Sequence, residues 1–215
     1  MELIRVDTQR AYERIRQMIT TLELAPGITI DEGRLAEDLD MGLVPIREAL
    51  KLLIHDNLVE VSSQGGISVS GVSIPELEQI SELRRLLESY CARQAAQRAT
   101  PDDIIILEAL RQEQATIPLE DSQRWFDLDH KFHQAIARAA HNKYLAQTLD
   151  HFFGLSQRLW YLALPHLEFL PSAVEVHLDL VQAIKDGDAD QAEALMSAHV
   201  RDFYAKVSEI LAQKD

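Results

Sequence analysis

The 215-residue sequence predicts a mainly α-helical chain in two parts: a winged helix-turn-helix of three helices plus a β-hairpin, then an all-α antiparallel helical bundle. Three observations carry this. Residues 35–50 read as two short helices joined by a tight turn. Residues 58–70 alternate like two strands about a glycine-rich turn. From Pro75 onward, helical apolar stripes follow one another without β-like alternation.

Taken in order, Tyr12, Ile15, Met18, Ile19 and Leu22 repeat at helical spacing, and Pro26-Gly27 is expected to end that first helix. Leu35, Ala36 and Leu39 form the stripe of a second helix. The period breaks between Asp40 and Val44, and Ile46, Ala49, Leu50, Leu53 and Ile54 restart it on a third. Pro45 fits the first turn of that helix, where its missing N–H costs nothing. A helix pair of this kind reads DNA by placing the N-terminal end of its second member in the major groove. Leu43, Val44, Arg47 and Lys51 are therefore expected to face bases and phosphates. The alternating runs from Leu58 to Ser62 and from Ile67 to Ser70, joined through Gln64, Gly65 and Gly66, give the hairpin, which is a wing. The expected division is residues 1–72 for the winged helix, 73–79 for a linker and 80–215 for the helical domain.

In the second part the stripes run through Ile80, Leu83, Leu87 and Tyr90, then Ile105, Leu107 and Leu110, then Phe126, Phe132 and Ile136. Thr100 before Pro101 is an N-cap with proline at the first helical position, and Asp188 with Gln191 reads as a capping box. Breaks are expected at Thr100, Ile117-Pro118, His141-Asn142, Pro165, Pro171 and Gly187. Leu162 to Pro171 could cover a pocket or pack on a second subunit. Cys91, the sole cysteine, lies on a helical apolar pattern and reads as a buried small residue.

Asp129 and His133 stand four apart, so both side chains leave one helix face at adjacent turns. Such a spacing also suits an exposed hydrogen-bonded pair. His177 and His199 would lie about 33 Å apart on one straight helix. Asp186-Gly187-Asp188 breaks the pattern, and their midpoint is residue 188, so an antiparallel hairpin there brings both histidines to one level. Three imidazoles and one carboxylate in a bundle core suit a divalent transition metal, zinc or nickel, with room for a further ligand.

Composition bounds the function. The net charge of -14 argues against indiscriminate attachment to nucleic acid or anionic membranes. Within residues 1–72 the bases, Arg47 and Lys51 among them, are outnumbered by Asp and Glu, so DNA affinity is expected to be weak unless the chain dimerises. No apolar run approaches the roughly 20 residues that span a bilayer, and no signal-peptide pattern opens the chain. A cytoplasmic protein without a membrane partner is expected.

The order Ala25-Pro26-Gly27, Leu35-Ala36-Glu37, Pro45-Ile46-Arg47-Glu48-Ala49-Leu50, Leu58-Val59 and Gly66 resembles the winged helix of GntR-type bacterial transcription regulators. The resemblance implies DNA contacts by Arg47 and by Gly66 at the wing. Gly42, Leu43 and Val44 depart from it, standing where the family usually has a small hydroxyl residue, an Arg and a Thr. Gly65 stands where an Arg is common.

Residues 76–206 resemble the FCD effector domain of the FadR-like subfamily. The matching pieces are Leu83 to Glu88, Asp129 to His133, Asn142, His177 to Ile184, Asp188, Ala192 and His199. The resemblance implies that Asp129, His133, His177 and His199 bind a divalent metal beside a small carboxylate metabolite. It also implies effector contacts by Arg84 and Asn142, although Arg84 can instead pair with Glu88 and Asn142 can cap a helix.

The expected function is a homodimeric transcription regulator, a repressor, acting on a double-stranded DNA operator under metabolite control and not an enzyme. A metal-dependent enzyme using the Asp/His3 site is the alternative, with Asp127 or Glu88 as the nominated base.

Overall fold

The structure, a computed structural model, describes residues 2–62, 65–71, 73–118, 121–163 and 170–212, without the side chains of 2–5, 74, 122, 162–163 and 170–174. The chain divides into two units, Met1–Ser73 with Gly154–Tyr161, and Ile74–Phe153 with Leu162–Asp215.

The first unit opens with α1 (Glu2–Thr20), whose Ala11, Ile15, Met18 and Ile19 are buried. The helix stops six residues before Pro26. Leu22 adopts a left-handed φ of 62°, and the Leu24 N–H closes on the Met18 carbonyl at 2.8 Å. Pro26-Gly27 instead redirects the chain, because Gly27, at φ 78°, turns it into an extended segment beside the wing. There the Ile30 N–H donates to Ile67 O and the Val69 N–H donates to Ile28 O.

Helix α2 (Glu32–Asp38) begins where the Asp31 carboxylate accepts from the backbone of Gly33 and Arg34. Asp40, at φ 50°, makes the tight turn into α3 (Leu43–His55), whose N-cap is Gly42. Ile46, Ala49, Leu50 and Leu53 of α3 are fully buried, so the apolar stripe is spent on the core and the opposite face is left to solvent. Strands β1 (Val59–Val61) and β2 (Ile67–Val69) pair antiparallel, Val59 with Val69 and Val61 with Ile67. Of the expected turn, Gln64 lies outside the described residues. Gly65, at φ 82°, and Gly66 are held by Ser62, whose Oγ accepts from the Gly66 N–H.

The second unit starts with α4 (Ile74–Arg98), so most of the expected linker is helical. After it come α5 (Pro101–Gln114), α6 (Ser122–Ala139), α7 (Lys143–Ala163), α8 (Leu170–Asp186) and α9 (Ala189–Ala212). Pro171 falls in the first turn of α8, where proline is tolerated, instead of breaking a helix. Residues 164–169 of the expected pocket cover, with Pro165, lie outside the described residues. Helix α4 packs on α6, α8 and α9, and α5 on α6 and α8, around Leu107, Phe126, Phe132, Ile136 and Leu180. Helix α7 supplies Lys143–Phe153 to this unit, while its Gly154–Tyr161 stretch belongs to the first.

Cys91 is buried, and its thiol is pushed up to about 12 by burial and by Glu88, which makes it inert. At the start of α5 the Thr100 hydroxyl accepts from the Asp103 N–H while the Asp103 carboxylate accepts from the Thr100 N–H. Thr100→Ala is expected to cost about 1 kcal/mol in a urea unfolding curve of the intact chain.

Candidate metal centre and nucleic-acid interface

Asp129 and His133 lie one turn apart on the inner face of α6, His177 on α8 and His199 on α9. Gly187, at φ 72°, folds α9 back along α8, and the Asp188 N–H returns to the Ala183 carbonyl. The two histidines that are 22 positions apart thereby meet with their Nε2 atoms 3.3 Å apart. His199 Nε2 is 3.2 Å from His133 Nε2, and Asp129 lies 3.5 Å from His177 Nε2 and 3.8 Å from His133 Nε2. All four donor atoms fall within 4.8 Å of one another, and all four residues are buried.

The tautomers decide what this cluster suits. His133 Nδ1 meets the Glu88 carboxylate, and His177 Nδ1 meets Gln114 Oε1 at 2.7 Å. Each acceptor takes the Nδ1 proton and leaves a lone pair on Nε2, pointing inward. His199 can supply one N–H to one of these lone pairs, not to both. Asp129 Oδ1 is buried without a hydrogen-bond donor among the described residues. Converging lone pairs and an orphaned carboxylate oxygen repel one another unless a cation sits among them. Nitrogens held at about 2.05 Å from a tetrahedral ion are about 3.3 Å apart, the spacing of the His177–His199 and His199–His133 pairs. The residues therefore fit a divalent metal.

Charge around the cluster suits a metal at His177 and His199, while His133 and Asp129, both raised, must release any proton they carry when an ion binds. Burial alone would raise the Glu88 carboxyl, but Arg84 and then His133 outweigh it and hold it at about 2. Burial drives His177 far below the usual imidazole range and, with His133 adding to it, His199 down to about 3. Both are neutral, as metal ligands must be. Burial also lowers His133, yet Glu88 and Asp129 reverse the shift and raise it, so any proton the cluster carries sits there. Asp129 is raised by burial.

Arg84 is buried behind the cluster. Its Nε donates to Glu88 at 2.6 Å, Nη1 donates to the Tyr204 hydroxyl at 2.9 Å, and the guanidinium lies over the Phe153 ring. Asn142 is exposed and caps α7, accepting from the backbone of Tyr144 and Leu145. A cavity of about 330 Å³ opens between α4, α6 and α7 with Glu88 and His133 on its wall. Neither Arg84 nor Asn142 is among its described lining residues. Sequence reasoning missed Glu88 and Gln114 as orienting partners of the histidines. The spacing of Arg84 and Glu88 signalled one half of the Glu88 role, and nothing local signalled Gln114.

In the first unit, Leu43 and Val44 are exposed, Val44 at 60%, at the start of α3. Arg47 is exposed one turn on, its Nε donating to Glu32 at 2.6 Å, and Lys51 pairs with Glu48. The four residues that the helix-turn-helix pattern nominates share one solvent face of the third helix.

A winged helix with an exposed third-helix face, followed by a helical bundle with a buried Asp/His cluster that fits a divalent metal, has the architecture of a DNA-binding regulator. The model described as "Bacterial regulatory proteins, gntR family" matches residues 7–69, and that of the FCD domain matches residues 79–202. The chain belongs to the GntR family of transcription regulators, in the branch that carries an FCD domain. It is 26% identical to the HTH-type transcriptional repressor RspR of Escherichia coli K12, over 94% of this chain and 89% of that one. An HTH-type transcriptional regulator of Streptomyces ambofaciens is 30% identical, with 97% and 88% covered. The E. coli McbR/YncC structure shares the fold at a TM-score of 0.82 and 21% identity, covering 97% of this chain and 99% of its own. These relatives are regulators, not enzymes. Glu88, nominated as a catalytic base, has both oxygens engaged, by Arg84 and by His133. No described helix is long and apolar enough to cross a membrane.

Proposed function

We propose that the chain is a cytoplasmic, homodimeric repressor whose second unit holds a divalent transition ion, zinc or nickel, and releases DNA when a small carboxylate metabolite binds beside it. The observation that carries this reading is the convergence of three Nε2 atoms and one carboxylate within 4.8 Å in a buried core. Asp129, His133, His177 and His199 would hold the ion. When bound, it supplies positive charge toward an anionic ligand and cross-links three helices. Glu88 and Gln114 fix the imidazole orientations. Arg84 acts on the effector through Glu88, which faces the cavity, and Asn142 by setting the start of α7. Leu43, Val44, Arg47, Lys51 and Gly66 form the DNA-reading surface, and the name of the relative RspR supports repression.

DNase footprinting on DNA flanking the protein's own gene tests this. The zinc-loaded chain is expected to protect a two-fold symmetric site at low salt. No protection at low salt overturns the DNA-binding reading. Protection indifferent to chelators and to every carboxylate tried overturns the metal and effector parts.

A further inference from the structure

Helix α4 is apolar on two faces. Leu77, Cys91, Ala92 and Ala95 are buried in the bundle, where α4 packs on α6, α8 and α9. Leu83, Leu86 and Tyr90, at 44%, 66% and 46% exposure, form a second stripe at i, i+3 and i+7 on the solvent side. One apolar stripe is enough to seat a helix in a bundle, and a second calls for another partner. Gln79 continues this stripe toward the N-terminus. Glu82 and Arg85 flank it on one side, both exposed and without an ion pair among the described residues.

The order of these residues is self-complementary. In an antiparallel pair of helices related by a two-fold axis, each flank faces the same flank of the other copy. Setting Leu83 of one copy against Leu86 of the other also sets Gln79 against Tyr90, because both steps are four residues. Glu82 of each copy then lies roughly 3 Å along the axis from Arg85 of the other, and the two-fold makes this pair twice. Arg93, already held by Asp190 and Glu193, adds no attraction for Glu78 of the other copy. A parallel pair would turn Glu82 and Arg85 toward the flank of Ile80 and Leu87 and lose both pairs. We infer that this face of α4 is where two copies of the chain meet, antiparallel about a two-fold axis beside Arg84 and Arg85. Leu86 and Tyr90 supply the buried area, and the charge pairs at the rim set the register. The inference rests on the reading of the chain as a homodimer and names the face that makes it.

Sedimentation equilibrium of the zinc-loaded full chain over a concentration series tests this. Leu86→Glu is expected to weaken self-association by about a hundredfold. Because Leu86 faces solvent, its helical circular dichroism should match that of the wild type. Glu82→Arg is expected to weaken association by about tenfold, and adding Arg85→Glu to it should restore the wild-type value. A second measurement does not depend on the charged variants. Leu86→Cys is expected to link into a covalent dimer with a short bismaleimide, whereas Ile105→Cys, on the exposed side of α5, is not. Cys91 is buried and does not compete. A dimer that is indifferent to Leu86→Glu, or that links through Ile105→Cys and not through Leu86→Cys, overturns the inference and leaves the homodimer standing. Association weakened by Leu86→Glu but not restored by the charge exchange overturns the antiparallel register. A wild-type chain that stays monomeric at every concentration overturns both the inference and the homodimer.

Discussion

Replacing His177 by Ala is expected to weaken divalent metal binding by about a hundredfold or more, measured by competition with a chromophoric chelator. Structural zinc sites bind with about 10–16 kcal/mol shared over four ligands, so losing one ligand costs roughly 3 kcal/mol. His177 is fully buried, stacks on Phe132, and meets Gln114 through Nδ1, so the variant also opens a void and strands an amide. Melting temperature alone therefore does not separate a lost ligand from a damaged core. The response to chelation does. Wild-type protein is expected to melt lower in chelator and recover with zinc, because an ion that binds only the folded chain stabilises it in proportion to the logarithm of its concentration over Kd. In His177→Ala the gap between the two conditions should shrink by roughly 3 kcal/mol, the linkage equivalent of a hundredfold weaker site. One tightly held ion per chain in the variant would remove His177 from the ligand set. Glu88→Gln, which keeps the shape but removes the charge behind His133, should weaken the metal by about tenfold to a hundredfold. It also removes the counter-charge of the buried Arg84 guanidinium, so its unfolding curve should shift even in chelator.

The convergence of Asp129, His133, His177 and His199 was legible because punctuation and geometry agreed. A glycine between two aspartates marks a hairpin, and its midpoint fixes which histidines meet across it. The spacing of Asp129 and His133 along one helix needs no tertiary information. The Thr100 cap was readable for the same local reason. Gln114 was not, since it reaches His177 across 63 positions between α5 and α8. Glu88 was half legible: its contact with Arg84 is an i,i+4 pair, whereas its contact with His133 depends on how α4 lies on α6. The end of α1 failed differently. Pro26-Gly27 was the stop signal on offer, but Leu22, a branched residue without helix-ending preference, leaves the helix by entering a left-handed conformation. The glycine then serves the extended segment beside the wing.

Arg47→Ala is expected to lower affinity for the specific operator by about tenfold to a hundredfold, the worth of one bidentate guanidinium–base contact. Binding to unrelated DNA should fall much less, with the salt-dependence slope flattening by about one unit if a phosphate contact is lost as well. The size of the effect follows from what surrounds Arg47. Leu43 and Val44 precede it on the exposed start of α3, and Gly42 offers no side chain at the cap. Base reading by hydrogen bonds from α3 is therefore expected to concentrate on one guanidinium. Glu32 accepts from Arg47 Nε at 2.6 Å, which orients the planar head and leaves its two terminal nitrogens for a base edge. Leu43 and Val44 can touch thymine methyls or read groove shape, so Leu43→Ala should change which bases are preferred without removing binding. An electrophoretic mobility series over single-base operator variants distinguishes the two substitutions. Flattened discrimination at one position is expected for Arg47→Ala, and a shifted preference at a neighbouring position for Leu43→Ala. If both variants keep wild-type affinity and preference, α3 is not the reading helix.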